Sequence, residues 1–169
     1  MKRLLFLLLF FTITLQASLS EDKLKVMLIG KIVKYVVWSE KESTKELRIT
    51  VLNNPFEDIA DKFYKDKKID GKDVKLTYIE SIDELKESDI LYIPSSASSQ
   101  LQTILQTIKG KGIFTISDIR GFAQRSGMLQ LYFVSRKIKL KINLQRVKDE
   151  HLNIRSTLLR IAKVIKEEK

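Results

Sequence analysis

Asp118 follows directly on the short apolar run Ile113–Ile116, with Arg120 and Arg125 close behind it. A carboxylate flanked by guanidiniums at the end of a buried strand can hold a polar ligand, because open α/β sheets bind ligands at the carboxyl ends of their strands. A turn built around Gly121 and Gly127 is the other reading of the same residues. Ser95, Ser96, Ser98 and Ser99 crowd the start of a helix that comes straight after a strand. Free amides and the helix dipole favour an anion there, while N-capping alone accounts for one or two of the serines. Ser95, Ser96, Asp118 and Arg120 are therefore the candidate ligand contacts.

A third constellation is electrostatic. Lys137, Lys139 and Lys141 alternate along one strand and project from the face opposite Ile138, Leu140 and Ile142, with Arg136 extending the stripe. This is either a docking surface for an acidic partner or a solvated edge whose lysines discourage strand-to-strand aggregation. His151, the single histidine, lies in Asp149–Glu150–His151 at a helix end, where a cation is favoured by the dipole; one imidazole alone makes neither a triad nor a common metal site. Gly110-Lys111-Gly112 sits between a helix and a strand, the reverse of the order that phosphate binding needs. There is no Walker loop, no Gly-x-Ser-x-Gly elbow and no cysteine, which removes thiolate metal sites, thiol nucleophiles and disulfides. The residues supply no catalytic group, and no cofactor is expected.

The elements that would carry these residues begin after a leader. Lys2 and Arg3 precede the unbroken apolar stretch Leu4–Phe11; small residues follow at Ala17, Ser18 and Ser20, the order of a secretory signal peptide covering 1–17 or 1–20. The apolar run is shorter than the roughly 20 residues of a spanning helix. Beyond it, Asp22–Trp38 has the 3.6-residue period of an amphipathic helix, with Leu24, Leu28, Ile32, Tyr35 and Val36 on a broad apolar side. Leu47–Leu52 is a strand, Asn54–Pro55 opens a helix from Phe56 to about Tyr64, and Asp70–Gly71 turns into the strand Val74–Ile79. Ser81-Ile82-Asp83-Glu84 has the capping-box pattern. Ile90–Ile93 and Ile113–Ile116 are short buried strands around a helix at Ala97–Ile108. Met128–Val134 and Lys137–Ile142 alternate as an antiparallel hairpin; Asn143 caps a short helix to Glu150, and Ile154–Ile165 closes the chain as a helix. These elements predict a single three-layer α/β/α domain over 22–169, with a mixed sheet, a C-terminal antiparallel hairpin and a terminal helix.

The 169 residues carry a net charge of +10 at 44% hydrophobic content. Residues 136–169 hold eleven Lys/Arg against four Asp/Glu, so +7 of that charge belongs to the C-terminal part. In an exported protein such a surface faces anionic lipid or an acidic protein, not nucleic acid.

Read together, Lys25…Ile32 with Lys34-Tyr35-Val36 and Trp38, Ile49–Phe56, Ser88–Ile93, Thr115-Ile116-Ser117-Asp118 with Gly121-Phe122-Ala123, Gly127-Met128, Ile142-Asn143-Leu144 and Leu158-Leu159…Ala162 resemble the YfiR-like periplasmic proteins over roughly residues 25–165. The resemblance implies a non-enzymatic periplasmic regulator that represses a membrane-bound diguanylate cyclase through its periplasmic portion, lowering cyclic-di-GMP output and biofilm formation. It also implies possible dimerisation and relief by an outer-membrane lipoprotein. The chain departs from the pattern at Gly30, where an aromatic is common, at Arg120 in place of proline, at Ser126 in place of glycine and at Lys141 in place of an acidic residue; without cysteines, thiol signalling does not apply. A small-ligand binding protein serving a transporter or sensor is the alternative. Trp38 is expected to be buried, its truncation unfolding the chain at roughly 3–5 kcal/mol.

Overall fold

The computed structural model describes residues 21–38, 45–135 and 137–165. The leader at 1–17 or 1–20 and Arg136 lie outside the described residues.

Helix α1 (21–33) buries Val26, Ile29, Ile32 and Val33. It ends five residues before the expected boundary at Trp38. Val36-Val37-Trp38 instead forms a short strand, β1 (Val36–Trp38), which suits β-branched and aromatic residues once a partner strand is available. Strand β2 (Glu46–Leu52) leads to Asn53 (φ 56°) and Asn54 (φ 29°), left-handed positions that asparagine tolerates. Glu57 (φ 49°) delays helix α2 (Ile59–Tyr64), leaving Phe56 outside it as a buried anchor.

Strands β3 (Lys68–Ile69) and β4 (Lys72–Ile79) form a hairpin through Asp70 and Gly71, both at positive φ as a two-residue turn requires. Ser81 caps a single 3₁₀ turn at Ile82–Glu84. Strand β5 (Ile90–Ile93) passes through a 3₁₀ turn, Ser95–Gln100, into helix α3 (Leu101–Thr107). Strand β6 (Phe114–Ser117) is followed by a 3₁₀ turn at Ala123–Arg125. The hairpin strands β7 (Leu129–Val134) and β8 (Lys137–Asn143) come next, then helix α4 (Leu144–Asp149), its first turn capped by the Asn143 side chain accepting from the Arg146 amide.

The expected closing helix Ile154–Ile165 is divided among three elements: strand β9 (Leu152–Ile154), helix α5 (Ser156–Ile161) and strand β10 (Ala162–Ile165). The apolar spacing of this stretch fits a helix up to Ile161. Beyond it the outer edge of β8 offers unpaired backbone groups, and β10 takes them in parallel, Ala162 opposite Leu140 and Ile165 opposite Asn143.

Eight strands form one mixed sheet in the order β10-β8-β7-β6-β5-β2-β4-β3. Strands β4-β2-β5-β6-β7 run parallel, and counted among themselves their order is 2-1-3-4-5, the doubly wound arrangement with its switch point between β2 and β5. Alternating residues build two cores. Ile49, Val51, Ile90, Tyr92, Phe114 and Ile116 meet residues of α1, α2, α4 and α5 on one face. Leu52, Leu91 and Ile93 meet Leu101, Ile104 and Leu105 of α3 on the other. Helices on both faces make the three layers. A separate two-stranded ribbon pairs β1 with β9.

Candidate functional site

The parallel strands end together, and their C-terminal ends gather several sequence-singled residues. Asn54 follows β2, Ser95 and Ser96 follow β5, and Asp118 and Arg120 follow β6. Ser95, Ser96 and Arg120 are exposed. The serines form the 3₁₀ turn, and the α-helix itself begins only at Leu101. Asp118 is the one drawn into the protein: its Oδ2 accepts a hydrogen bond from Lys25 Nζ of α1 at 2.7 Å, with both side chains about 15% exposed. Asp22, one turn earlier, lies 3.5 Å from the same ammonium. Burial lowers the Lys25 pKa, but the hydrogen bond and charge of Asp118, followed by those of Asp22, outweigh it and hold the group above its ordinary value. The amine is therefore protonated at neutral pH, which makes it a cation and a donor rather than a nucleophile.

Three polar atoms at these strand ends are shut away from solvent without a hydrogen-bond partner: Asn54 Oδ1, Tyr92 Oη and Asp118 Oδ1. Tyr92 is wholly buried, with Phe56 at 4.7 Å between ring centroids. Its hydroxyl faces the Asp118 carboxylate outside hydrogen-bond geometry, yet burial and then that carboxylate push the phenol well above its usual pKa. Buried polar groups are normally satisfied; Tyr92 Oη and the Asp118 carboxylate have each other as the nearest partner, and Gln130 Oε1, level with the end of β6, is enclosed in the same way. The sequence singles out Asp118 but neither Lys25, which the fold sets against it, nor Tyr92, whose hydroxyl faces its carboxylate. The position of Tyr92 within the preceding strand was the signal available.

Most of the motif around Asp118 has a structural use. Thr115 Oγ1 accepts from the Met128 amide and Ser117 Oγ from the Ile119 amide. Asn143 Nδ2 donates to the Ala123 carbonyl, and its backbone amide donates to Met128. Gly127 lies against the Phe122 ring, where a Cβ would fall 2.3 Å from Cε1. The departures from the family pattern are also intelligible. Ser126 holds a left-handed φ of 65°, the reason glycine suits that position. Gly30 leaves room that Tyr64 occupies, its Cε1 3.2 Å from where a Cβ would sit. Glu150, buried beside His151, accepts from the Gly110 and Gly112 amides and pairs with Arg146 at 2.6 Å, tying the Gly-x-Gly loop to α4. His151 itself is exposed at φ 57° and ends α4 by donating its amide to the Lys148 carbonyl.

At the opposite end of the sheet a pocket of about 180 Å³ is lined by Trp38, Val36, Leu47, Ile69, Asp70 and Arg155, among others. Trp38 is half-buried rather than interior, its indole N–H enclosed without a partner. The expectation that its truncation unfolds the chain rested on full burial and loses that basis.

Lys137, Lys139 and Lys141 point away from the first core, as the alternation predicts. Lys137 and Lys139 are exposed, and Lys141 Nζ lies 4.8 Å from the centroid of the Tyr132 ring. The basic stripe and the polar crevice are separate features: the lysines contact none of the four candidate ligand residues in any described interaction. Among the described residues no helix is long and apolar enough to cross a membrane, and no group of three or more His, Asp or Glu is placed to hold a metal ion.

Fold and site define a doubly wound α/β domain, extended at one edge by an antiparallel hairpin and a closing parallel strand. The chain belongs to the YfiR/HmsC-like family, whose model matches residues 22–163. No curated protein matches it. Among solved structures it is similar to a conserved domain protein from Vibrio cholerae, at 14% identity and a TM-score of 0.56, covering 86% of this chain and 60% of that one. It is also similar to an ABC domain from Streptococcus pneumoniae in complex with L-Trp, at 13% identity and a TM-score of 0.51, covering 70% of this chain and 55% of that one. The chain thus spans little more than half the length of the structures it matches, and the likeness is one of fold.

Proposed function

We infer that this chain is an exported, non-enzymatic regulator that acts in the periplasm by binding the periplasmic portion of an inner-membrane signalling enzyme, a diguanylate cyclase or a sensor kinase. The observation that carries this reading is membership of the YfiR/HmsC-like family over nearly the whole described chain. The site chemistry agrees with it. The part-buried charged pair at the strand ends is a protonated lysine held by carboxylates, an arrangement that fixes α1 to the sheet and, among the described residues, sets no base beside a nucleophile. The basic stripe of Lys137, Lys139 and Lys141 on β8 is the face that brings the chain to the membrane where this partner sits, and cyclic-di-GMP output is the quantity the regulator would control. An outer-membrane lipoprotein that competes for the chain, and a homodimer, fit the same reading.

Crosslinking and capture from the cell envelope, with the captured proteins identified by mass spectrometry, tests it. Recovery of an inner-membrane signalling enzyme is the expected result. Recovery of transport components alone overturns the regulatory reading.

A second reading rests on the orphaned atoms at Tyr92 and Asp118. The Asp118 carboxylate at the Lys25 ammonium, with the Tyr92 hydroxyl facing it, suits a small ligand offering N–H donors and a carboxylate, with Ser95, Ser96 and Arg120 at the rim. Because the atoms are enclosed, such a ligand enters only if the start of α1 shifts. Thermal-shift screening with small zwitterions reads this directly: stabilisation that vanishes in Asp118→Asn supports capture, and a flat response across the screen removes it.

A further inference from the structure

The hairpin outgrows its sheet. Strand β6 stops at Ser117, opposite Gln130, so Leu131–Val134 has no neighbour on that side. On the far side β10 begins only opposite Leu140. Residues 132–134 and 137–139 therefore stand as a two-stranded arm beyond the strand ends. Cross-strand pairs Gln130–Lys141, Tyr132–Lys139 and Val134–Lys137 share one face of it, and Lys163 of β10, opposite Lys141, adds a fourth ammonium at the base. At its base this face is covered, with Gln130 and Asn143 buried and Asn143 bonded to the Ala123 carbonyl, whereas toward the tip Val134, Lys137 and Lys139 are exposed, as is Lys163 at the edge. Neither strand of the hairpin nor β10 contains an acidic residue, and among the described residues none of the four lysines is paired with a carboxylate. Val134, at the tip, is 48% exposed.

We propose that this face binds an anionic phospholipid surface, with the arm's tip seated among the headgroups. The inference deepens the docking reading above: the lysines meet the lipid that surrounds a membrane-embedded partner rather than the partner's own carboxylates. Three features favour lipid over an acidic protein. The cations are lysines, hydrated point charges on flexible stems, not the planar forks that read carboxylates in fixed geometry. Lysine is depleted from the cores of protein interfaces, where aromatic residues and arginine carry the energy. An exposed valine and a tyrosine beside the ammonium groups form the mixed apolar and basic composition of an interfacial element. Strand geometry spaces successive lysines by about 7 Å along β8, an open row of charge matched to headgroups that rearrange laterally.

Co-sedimentation of the purified protein with phosphatidylcholine vesicles, with and without phosphatidylglycerol, tests the proposal. Binding to the anionic vesicles, weakening as salt is raised, is expected, with little binding to phosphatidylcholine alone. Lys137→Glu/Lys139→Glu/Lys141→Glu should lower the partition coefficient on the order of a hundredfold, given roughly fivefold per basic residue near an anionic surface, while circular dichroism and melting stay those of the parent. Val134→Ser should weaken binding with the charge unchanged. Equal binding to both vesicle types, or a triple variant that binds like the parent, overturns the proposal. So does a triple variant that loses protein capture in detergent, where no bilayer exists, while the parent binds no vesicles; the face would then dock a protein. Vesicle binding that fails while an inner-membrane enzyme is still captured sinks the lipid inference alone and leaves the regulatory reading standing.

Discussion

Lys25 and Asp118 are far apart in sequence and belong to two different recognisable segments, yet they meet at 2.7 Å. A half-buried pair of this kind is worth most when one member is removed, because the other is left charged and poorly solvated. Lys25→Met should cost about 2 kcal/mol in urea denaturation at neutral pH, and Lys25→Met/Asp118→Leu should recover most of it. The pH dependence has a fixed sign. The folded pKa of Lys25 lies above 10.5, so its contribution is complete below the unfolded value and disappears as pH climbs through the folded one. The stability difference between parent and Lys25→Met should accordingly be constant through neutral pH and shrink above about 10.5. A difference that persists unchanged in strong alkali would mean that packing, not charge, holds the contact. Asp118 was legible as a site residue because it follows a buried strand. Its partner was not, since nothing in the spacing of an amphipathic helix tells which lysine turns inward.

At the scale of elements, the turn between the 3₁₀ segment Ala123–Arg125 and β7 places two neighbouring residues under opposite demands. Gly127 cannot accept a side chain because the Phe122 ring fills the space, whereas Ser126 occupies a left-handed conformation without being glycine. Gly127→Ala should therefore destabilise by about 3 kcal/mol, the upper end of overpacking, and Ser126→Gly should stabilise by about 0.5–1 kcal/mol. Thermal melts of the two variants check the pair; shifts of the same sign would contradict it. The element order followed from apolar periodicity almost throughout, because β2, β5, β6 and the β7–β8 hairpin are each bounded by turn residues that local chemistry dictates. The failures sit where long-range pairing overrides local preference. Val36–Trp38 and Ala162–Ile165 both follow closely on a helix in sequence, and both become strands because a backbone edge awaits them, β9 for the first and β8 for the second. The approach of Tyr92 to Asp118 was hidden for the same reason: only the parallel register of β5 and β6 brings the two residues together.

Over the whole molecule, the doubly wound sheet separates its features by end. The hairpin arm, the polar crevice and the Lys25–Asp118 pair share the end where the parallel strands finish, while Trp38 and its pocket occupy the other. Lys137, Lys139, Lys141 and Lys163 thereby gather on one edge of the sheet, while Arg155 lies at the other end, beside the Trp38 pocket. The β1–β9 ribbon has a different kind of consequence. It joins Val36–Trp38 to Leu152–Ile154, and the Arg155 amide donates to the Tyr35 carbonyl at 2.8 Å, so segments near the two ends of the described chain close on each other across everything between them. Such a closure sets the entropy of a long loop against only a few hydrogen bonds. Once made, it makes the fold behave like a fastened belt: loosening near residue 36 frees residue 154 as well, so fraying cannot stay confined to one terminus.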